Sequence, residues 1–289
     1  YKWNSYIKYK YMILIADSGS TKTDWAIVKD KDTFEIVKTD GINPFFQTKE
    51  EIASEIESNL LQHLSSTEFK GIYFYGAGCT FDKVAIVKDA ILEHLQSDEI
   101  QVNSDMLAAA HALCGREPGI VCIMGTGSNS CVYDGSKITE NVSPLGFILG
   151  DEGSGAVLGK LFIGSLLKNQ LKQGLKEEFL KEYNLSIAEI IDKVYRQPFP
   201  NRFLASLSPF IKKHIKEPSV HRLVLDNFKL FFKRNVMQYQ YKDQSVNFIG
   251  SIAYYYQDVI NEAASQMGIN KGLILKSPME GLIKYHLTK

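Results

Sequence analysis

The stretch "IADSGSTKTDW", residues 15–25, decides the fold: an apolar run ends in an aspartate, and a turn rich in serine, glycine and threonine follows. A Walker A loop has glycine immediately before its lysine and a helix after it. Here Thr21 precedes Lys22, and "DWAIVKD" alternates as a strand does. The stretch therefore predicts a β-hairpin whose turn can bind an anion through backbone N–H groups, with Asp17 able to hold Mg²⁺ through water. A plain polar hairpin turn has the same composition, so the turn alone leaves both interpretations open.

A second turn of the same kind, "MGTGSNS" at residues 124–130, follows another apolar run. The first half shows the element order βββαβαβα, and strand, glycine turn, strand then begins again. This weak internal repeat predicts two related α/β domains with their turns on a shared cleft, although glycine turns follow strands in any α/β protein. We expect domains at 12–115 and at 116–277, a helical insertion at about 176–240, and a final helix at about 278–289 that packs back on the first domain.

Composition narrows the class of protein. Basic and acidic residues number 33 each, which argues against nucleic acid or an anionic membrane as the main partner. No apolar run approaches the roughly 20 residues that cross a bilayer. The four cysteines form no CxxC pair, so we expect reduced thiols in a cytoplasmic protein rather than a zinc site. We also expect Met12 to be the natural start, with residues 1–11 upstream or added sequence.

Two carboxylates stand at the starts of helices. Asp105, in "NSDMLAAAHAL" (103–113), joins a strand to a helix, where it could accept a proton from a substrate hydroxyl. Asp151 lies between glycines in "GFILGDEGSGAVLG" (146–159), where carboxylates and backbone groups can bind sugar hydroxyls. Helix capping and stabilisation of a helix N-terminus are the structural alternatives for both.

Two further turns complete the set. Asn43 precedes a proline in "DGINPF" (40–45), and simple turn chemistry would account for it. Gly250 and Ser251 form a turn between strand and helix in "FIGSIAYY" (248–255). A flat ligand such as adenine could lie against such a turn because glycine permits close approach to the backbone.

In order along the chain, these motifs resemble those of the actin, hexokinase and heat-shock-ATPase superfamily. "DSGSTKTDW", "NSDMLAAAHA", "IMGTGSNS" and "FIGSIA" stand where that superfamily has its first phosphate turn, connecting helix, second phosphate turn and adenosine turn. "GDEGSG" and "SPMEGLIKYH" resemble the N-acetylglucosamine kinases and the BadF/BadG/BcrA/BcrD-type ATPases in particular. The resemblance covers nearly the whole chain from Met12, with a looser match over 176–240. It implies two ribonuclease H-like domains, and a homodimer is common in the family.

The resemblance also implies roles for individual residues in a kinase that uses ATP and Mg²⁺ to phosphorylate an amino sugar at O6. Asp105 would be the base and Asp17 would help place the metal. The nucleotide would be bound by Ser20, Thr21, Lys22, Thr126, Gly127, Gly250 and Ser251. The sugar would be bound by Asn43, Asp105, Ser128, Asn129, Leu145, Gly146 and Asp151.

One departure from the family pattern concerns the sugar. Animal N-acetylglucosamine kinases carry Gly-Trp-Gly before the Gly-Asp-Glu-Gly-Ser run, whereas this chain has "PLG" (144–146), with Leu145 in place of tryptophan. The identity of the sugar and the recognition of its N-acetyl group therefore stay open at this point.

Two other functions remain as alternatives. An ATP-driven activator of a radical dehydratase would hold an iron–sulfur cluster between two subunits through closely placed cysteines. Cys114, Cys122 and Cys131 are near in sequence, but Cys122 and Cys131 fall in or beside predicted strands, which disfavours that alternative. A nucleotide-dependent switch without sugar chemistry is the second, and the polar set of Asp105, Asp151 and Asn43 argues against it.

Overall fold

The computed structural model describes residues 12–19, 21–80 and 82–288. Ser20 and the segment 1–11 therefore lie outside the described residues, together with the expectations made for them. The chain divides into two compact units. Unit 1 runs to Gly115 and takes in the chain again from Pro278, and unit 2 is Arg116–Ser277.

Unit 1 is built on one five-stranded sheet. The strands of unit 1, including two outside this sheet, are β1 (Ile13–Ser18), β2 (Lys22–Val28), β3 (Phe34–Asp40), β4 (Glu68–Phe69), β5 (Gly71–Gly76), β6 (Gln96–Ser97) and β7 (Ile100–Ser104). Its helices are α1 (Lys49–Glu55), α2 (Val84–His94), α3 (Asp105–Cys114) and, from the end of the chain, α13 (Met279–Leu287). The sheet has the order β3-β2-β1-β5-β7, with an antiparallel hairpin side and a parallel side, while β4 and β6 pair separately.

The two faces of this sheet bury different side chains. Trp25 and Phe74 pack on one face with residues of α1 and α2. Tyr73 and Tyr75 pack on the other face with residues of α3 and α13. Each large side chain buried in this way contributes about 1.5–3 kcal/mol relative to exposure, so both helical layers hold the sheet in place.

Residues 49–64 carry Ile52, Ile56, Leu60 and Leu64 at helical spacing, which predicts one helix, but the segment is only partly α-helical. A capping box of Thr48 and Glu51 begins α1, which gives way to a π-helical turn at Ile56–Leu60 and a 3₁₀ turn at Leu61–His63. Ile52, Ile56 and Leu60 are all buried. Leu64, the fourth residue of this spacing, is only partly buried, so the spacing predicted the buried face at its first three positions but not the helix type.

Unit 2 carries the second sheet and most of the helices. Its strands are β8 (Gly119–Met124), β9 (Ser128–Tyr133), β10 (Ile138–Val142), β11 (Val246–Ile249) and β12 (Lys271–Leu275). Its helices are α4 (Gly146–Leu149), α5 (Gly155–Leu167), α6 (Leu175–Tyr183), α7 (Ile187–Tyr195), α8 (Pro200–Ala205), α9 (Ser208–Lys213), α10 (Pro218–Arg234), α11 (Ser251–Tyr255) and α12 (Gln257–Met267). Short 3₁₀ helices lie at Val236–Gln238 and Tyr241–Asp243.

The second sheet repeats the arrangement of the first. Its order is β10-β9-β8-β11-β12, again with an antiparallel side and a parallel side. In both sheets the first strand of the unit is central, the next two strands extend one edge as a meander, and two later parallel strands extend the other. This shared topology is the ribonuclease H-like arrangement that the sequence predicted. Within the described residues, no helix is long and apolar enough to cross a membrane.

Candidate active site

The turn after β1 is a hairpin, as the sequence predicted. β1 and β2 pair antiparallel from Ile13–Val28 to Ser18–Thr23, and the Gly19 N–H donates to the Lys22 carbonyl at 3.0 Å. Thr21 and Lys22 are exposed on this turn, where both could contact a ligand. The Lys22 Nζ lies 2.6 Å from the Asp24 Oδ2, so this ammonium group is already oriented by a carboxylate.

Asp17 has an unusual electrostatic position near the end of β1. Its pKa is raised from 3.8 to about 7, first by burial and then by the charges of Asp24 and Asp105, against the opposing charge of Lys22. One oxygen of Asp24, Oδ1, is buried without a hydrogen-bond partner in the described residues. A cation beside the desolvated Asp17 would offset the repulsion that Asp24 and Asp105 exert on it. No group of three or more metal-ligating side chains occurs in the described part of the chain. Mg²⁺ held by one or two carboxylates, with water and phosphate oxygens, needs no such cage.

Asp105 is the first residue of α3, and it is not the cap of that helix. The cap is Ser104, whose Oγ accepts from the Leu107 N–H at 3.2 Å. The Asp105 Oδ1 accepts from the adjacent Met106 N–H at 2.8 Å. Burial raises the pKa of Asp105, and the backbone hydrogen bonds only partly offset this effect. Because Ser104 is the cap, capping does not explain Asp105, although its bond to the Met106 N–H does stabilise the helix N-terminus.

The side chain and backbone of Asn43 are fixed by hydrogen bonds within its own loop, which belongs to unit 1. Its Oδ1 accepts from the Phe45 N–H at 2.9 Å, and its N–H donates to the Gln47 Oε1 at 2.6 Å. A Cβ on Gly78 would stand only 2.1 Å from the same Oδ1, so only glycine fits at position 78. The loop is tied to the hairpin, because the Ser18 Oγ exchanges hydrogen bonds of 2.9 Å with both the N–H and the carbonyl of Ile42.

In unit 2, the second glycine turn, which precedes β9, is joined to the start of α5. The Gly125 N–H donates to the Gly127 carbonyl at 2.9 Å, which closes the turn. The carbonyls of Gly125 and Thr126 accept from the first N–H groups of α5, those of Gly155 at 2.8 Å and Ala156 at 3.1 Å. The turn is thus fixed by a helix N-terminus, whose partial positive charge favours a nearby anion.

Asp151 lies against this turn. A Cβ on Gly127 would stand 3.0 Å from the Asp151 Oδ2. The pKa of Asp151 is raised to about 6, mainly by burial and also by the Glu152 charge, against the opposing backbone N–H groups of Ser128 and Gly146 and the charge of Lys160. Its φ of +53° is uncommon for a residue other than glycine. Residues held in such conformations cluster at functional sites, where the surroundings maintain them.

The remaining predicted sugar contacts differ in how they are engaged. Ser128 is buried, and its Oγ donates to the Glu152 carbonyl at 2.7 Å. The Asn129 Oδ1 accepts from the Ser130 N–H and from the Asn141 Nδ2, both at 2.9 Å. Leu145 has φ +64° and is 58% exposed, so its apolar side chain is open to a ligand. The structure therefore groups Gly127, Ser128 and Gly146 around Asp151, whereas it directs the Asn129 amide toward Asn141.

The turn of Gly250 and Ser251 lies beside the second glycine turn, at residues 124–130. A Cβ on Gly250 would stand 2.3 Å from the Met124 carbonyl oxygen, and its φ is +119°, so glycine is required for two reasons. Ser251 begins α11 and is exposed.

Several residues that sequence reasoning missed support these loops. Glu152 is buried, with its Oε1 2.7 Å from the Arg234 Nε, and the Gly153 N–H donates to the Asn227 Oδ1 at 3.1 Å. Both partners belong to α10, more than 70 residues later in the sequence, so no local pattern indicates these contacts. In unit 1, pairing of β1 with β2 sets Asp24 opposite Asp17. The alternation of the hairpin strand was the one signal that could have pointed to Asp24.

The comparisons with known proteins agree with one another. No protein-family model matches the chain. The N-acetylmuramic acid/N-acetylglucosamine kinase of Clostridium acetobutylicum is 31% identical over 235 residues, which are 75% of this chain and 74% of that protein. A crystal structure of a Porphyromonas gingivalis protein assigned as an N-acetylglucosamine kinase is 52% identical and covers 96% of this chain and 99% of its own, with a TM-score of 0.92.

A more distant neighbour shows the fold alone. A ROK family glucokinase from Streptomyces griseus, solved with glucose and AMPPNP, has a TM-score of 0.55 at 15% identity, with coverage of 95% of this chain and 97% of its own. Together with the motifs and the two matching sheets, the closer relatives decide the family. The chain belongs to the family of N-acetylmuramic acid/N-acetylglucosamine kinases and is a sugar kinase.

Proposed function

We propose that this kinase transfers the γ-phosphoryl group of ATP to the 6-hydroxyl of an amino sugar, N-acetylglucosamine. The observation that carries the proposal is Asp105, a desolvated carboxylate at the end of β7 that does not cap its own helix. Phosphoryl transfer demands positioning and charge stabilisation more than covalent chemistry, and an aspartate that accepts the hydroxyl proton is its recurring base. The relatives described above support the substrate class through their names.

The proposed reaction balances simply. The sugar O6 forms a bond to the γ-phosphorus, the bond from that phosphorus to the β–γ bridging oxygen breaks, and ADP keeps the electron pair. The O6 proton passes to a carboxylate oxygen of Asp105. A carboxylate whose pKa burial has raised is a better proton acceptor near neutral pH than an exposed aspartate.

We assign the other predicted residues as follows. Thr21, Lys22, Thr126 and Gly127 contact the phosphates, and Gly250 and Ser251 line the adenosine site. Asp17 and Asp24 would hold Mg²⁺, which neutralises phosphate charge when bound. Two observations support this assignment: Asp24 and Asp105 still raise the pKa of Asp17 despite Lys22, and the buried Asp24 Oδ1 has no hydrogen-bond partner in the described residues. Ser20 keeps its proposed phosphate contact from the sequence alone.

For the sugar, we assign Asp151 as an acceptor from ring hydroxyls, with Asn43, Ser128, Asn129 and Gly146 as further contacts. The tight packing of Asp151 on Gly127 favours a fixed carboxylate, which orients a hydroxyl better than a mobile one. Leu145 offers an exposed apolar side chain to the N-acetyl methyl group.

The two alternatives have less support. Cys122 and Cys131 are buried in the paired strands β8 and β9, which leaves them poorly placed to ligate a cluster at a subunit seam. A switch without sugar chemistry would not account for the Asp151 carboxylate, which is fixed against Gly127 by a backbone in an uncommon conformation. We further propose that the kinase works in the cytoplasm, where ATP is supplied, and forms a homodimer. Light scattering behind size exclusion would measure the dimer's mass directly.

The test compares two substitutions that remove the same charge from unit 1. Asp105→Asn should abolish sugar-dependent ADP release while ATP affinity stays close to that of the wild type. Asp98→Asn is the control, because Asp98 is exposed. Near-normal turnover by Asp105→Asn would remove Asp105 as the base, and equal losses in both variants would show that charge alone matters.

A further inference from the structure

A cluster of aromatic and imidazole rings fills the α3 side of the unit 1 sheet. We call it the Tyr75 cluster: Tyr73, Tyr75, His111, Tyr285 and His286. At its centre, the Tyr75 hydroxyl lies 2.9 Å from the His111 Nδ1 and 2.9 Å from the His286 Nε2. A hydroxyl donates only one proton, so at least one of the two imidazoles must donate to it.

Stacked rings reinforce these hydrogen bonds. The His111 and Tyr285 rings stack with centroids 3.8 Å apart, and the Tyr73 and His286 rings stack at 3.7 Å. Tyr75 is fully buried and His111 is 5% exposed. A buried polar group that loses its partner pays the full cost of desolvation, so the cluster strongly prefers this single arrangement.

The same region brings two helices unusually close. A Cβ on Gly281 of α13 would stand 2.5 Å from the Ala112 carbonyl oxygen of α3. The glycine therefore allows α13 to pack directly on the backbone of α3. Helix α13 therefore packs on α3 through this contact and through the Tyr75 cluster.

Helix α3 connects the cluster to the reacting group. Asp105 is its first residue and His111 follows six residues later, about 9 Å along a helix axis. Tyr75 also lies in register with Asp17 on β1 and with Asn103 on β7. One tyrosine thus joins the strand that carries Asp17, the strand that leads to Asp105 and the helix that Asp105 begins.

We propose that Tyr75, His111 and His286 are positioning residues that fix α3, and through it the carboxylate of Asp105, for proton acceptance. This inference rests on the proposed function. The C-terminal helix thereby serves the reaction without touching the substrate. A displacement of about 1 Å at a reacting group can lower the rate roughly a hundredfold, so a small loosening of α3 should be measurable.

The test uses two tyrosines on one strand. Tyr75→Phe removes the hydroxyl between the imidazoles, and we expect kcat to fall about tenfold or more while the KM for ATP stays within about twofold. Tyr73→Phe is the matched control. It keeps the ring that stacks on His286 and removes a hydroxyl that donates to the Glu99 Oε2 at 3.0 Å, so kcat should not change.

A second pair of variants tests rescue. His286→Gln keeps a polar atom near the Nε2 position and should retain most of kcat, whereas His286→Leu should lose it. Hydrogen exchange of the α3 amides supplies a readout that does not need activity: exchange should rise in Tyr75→Phe and stay unchanged in Tyr73→Phe.

The outcomes separate the two proposals. Unchanged kcat and unchanged α3 exchange in folded Tyr75→Phe would overturn the positioning role, while loss of activity in Asp105→Asn would still uphold the proposed function. Equal losses in Tyr75→Phe and Tyr73→Phe would also overturn it, since a general packing defect would explain them. A wild-type protein that phosphorylates no sugar would refute the proposed function, and the positioning role would fall with it.

Discussion

Asp17 should make the ligand-free protein less stable at neutral and alkaline pH, and replacing it should show this. Burial and the neighbouring carboxylates raise its pKa from 3.8 to about 7. At 1.36 kcal/mol per pKa unit, the ionised form costs at most about 4 kcal/mol above pH 7. An asparagine there carries no charge but still needs desolvation, about 1–3 kcal/mol. We therefore expect Asp17→Asn to stabilise unit 1 by about 1–3 kcal/mol at pH 8.5.

The pH dependence identifies the cause. Below pH 3.8 the carboxyl is protonated in the folded and unfolded states, so its stabilising effect is fully present. Between pH 3.8 and about 7 the folded state holds a proton that the unfolded state has released, so wild-type stability falls as pH rises. The advantage of Asp17→Asn should thus grow from pH 5 to about 7 and then level off.

Denaturant unfolding of both proteins from pH 5 to 8.5, without nucleotide or metal, measures this difference. Asp30→Asn is the control in the same unit, because backbone N–H groups lower the pKa of Asp30, which is exposed. Asp30 is therefore ionised throughout this range, and its substitution should give a difference that does not change with pH. A constant difference for Asp17→Asn would refute the electrostatic argument.

Two other perturbations have clear expected results. Because the pKa of Asp151 is raised to about 6, its carboxylate becomes protonated and a poorer acceptor as pH falls through 6, so the KM for the sugar should rise. Asp151→Asn should show a high KM that does not depend on pH in this way. Steady-state kinetics at saturating ATP would measure both values of KM across this pH range. Arg234→Ala should destabilise unit 2, because it leaves the buried Glu152 carboxylate without its 2.7 Å partner. The exposed half of Arg234 limits the loss to about 1–2 kcal/mol, and Arg234→Lys should recover part of it in thermal unfolding.

Local sequence patterns predicted the features that depend on neighbouring residues. Glycine and hydroxyl residues between apolar runs located both hairpin turns, because such turns favour small residues with accessible backbone N–H groups. That these turns bind phosphate stays a prediction. The repeated order of elements predicted two sheets of one topology. The order of elements also placed Asp105 at a strand–helix junction, because an apolar strand pattern ends just before it and a helical pattern begins with it.

Other features depend on contacts that no local pattern reveals. The capping of α3 by Ser104 rather than Asp105 depends on which side chain reaches the Leu107 N–H. The ion pair between Glu152, next to Asp151, and Arg234 joins parts of unit 2 that are distant in sequence. Tyr75 and His286 are 211 residues apart, and only the return of α13 to unit 1 brings them together.

The central claim is tested most directly by ADP release from Mg-ATP in the presence of N-acetylglucosamine, glucosamine, N-acetylmuramic acid and glucose, with the products identified by mass spectrometry and ³¹P NMR. The account predicts strong release with N-acetylglucosamine, one ADP for each sugar 6-phosphate formed, and little release without sugar. Release at the same slow rate whether or not any sugar is present would contradict it.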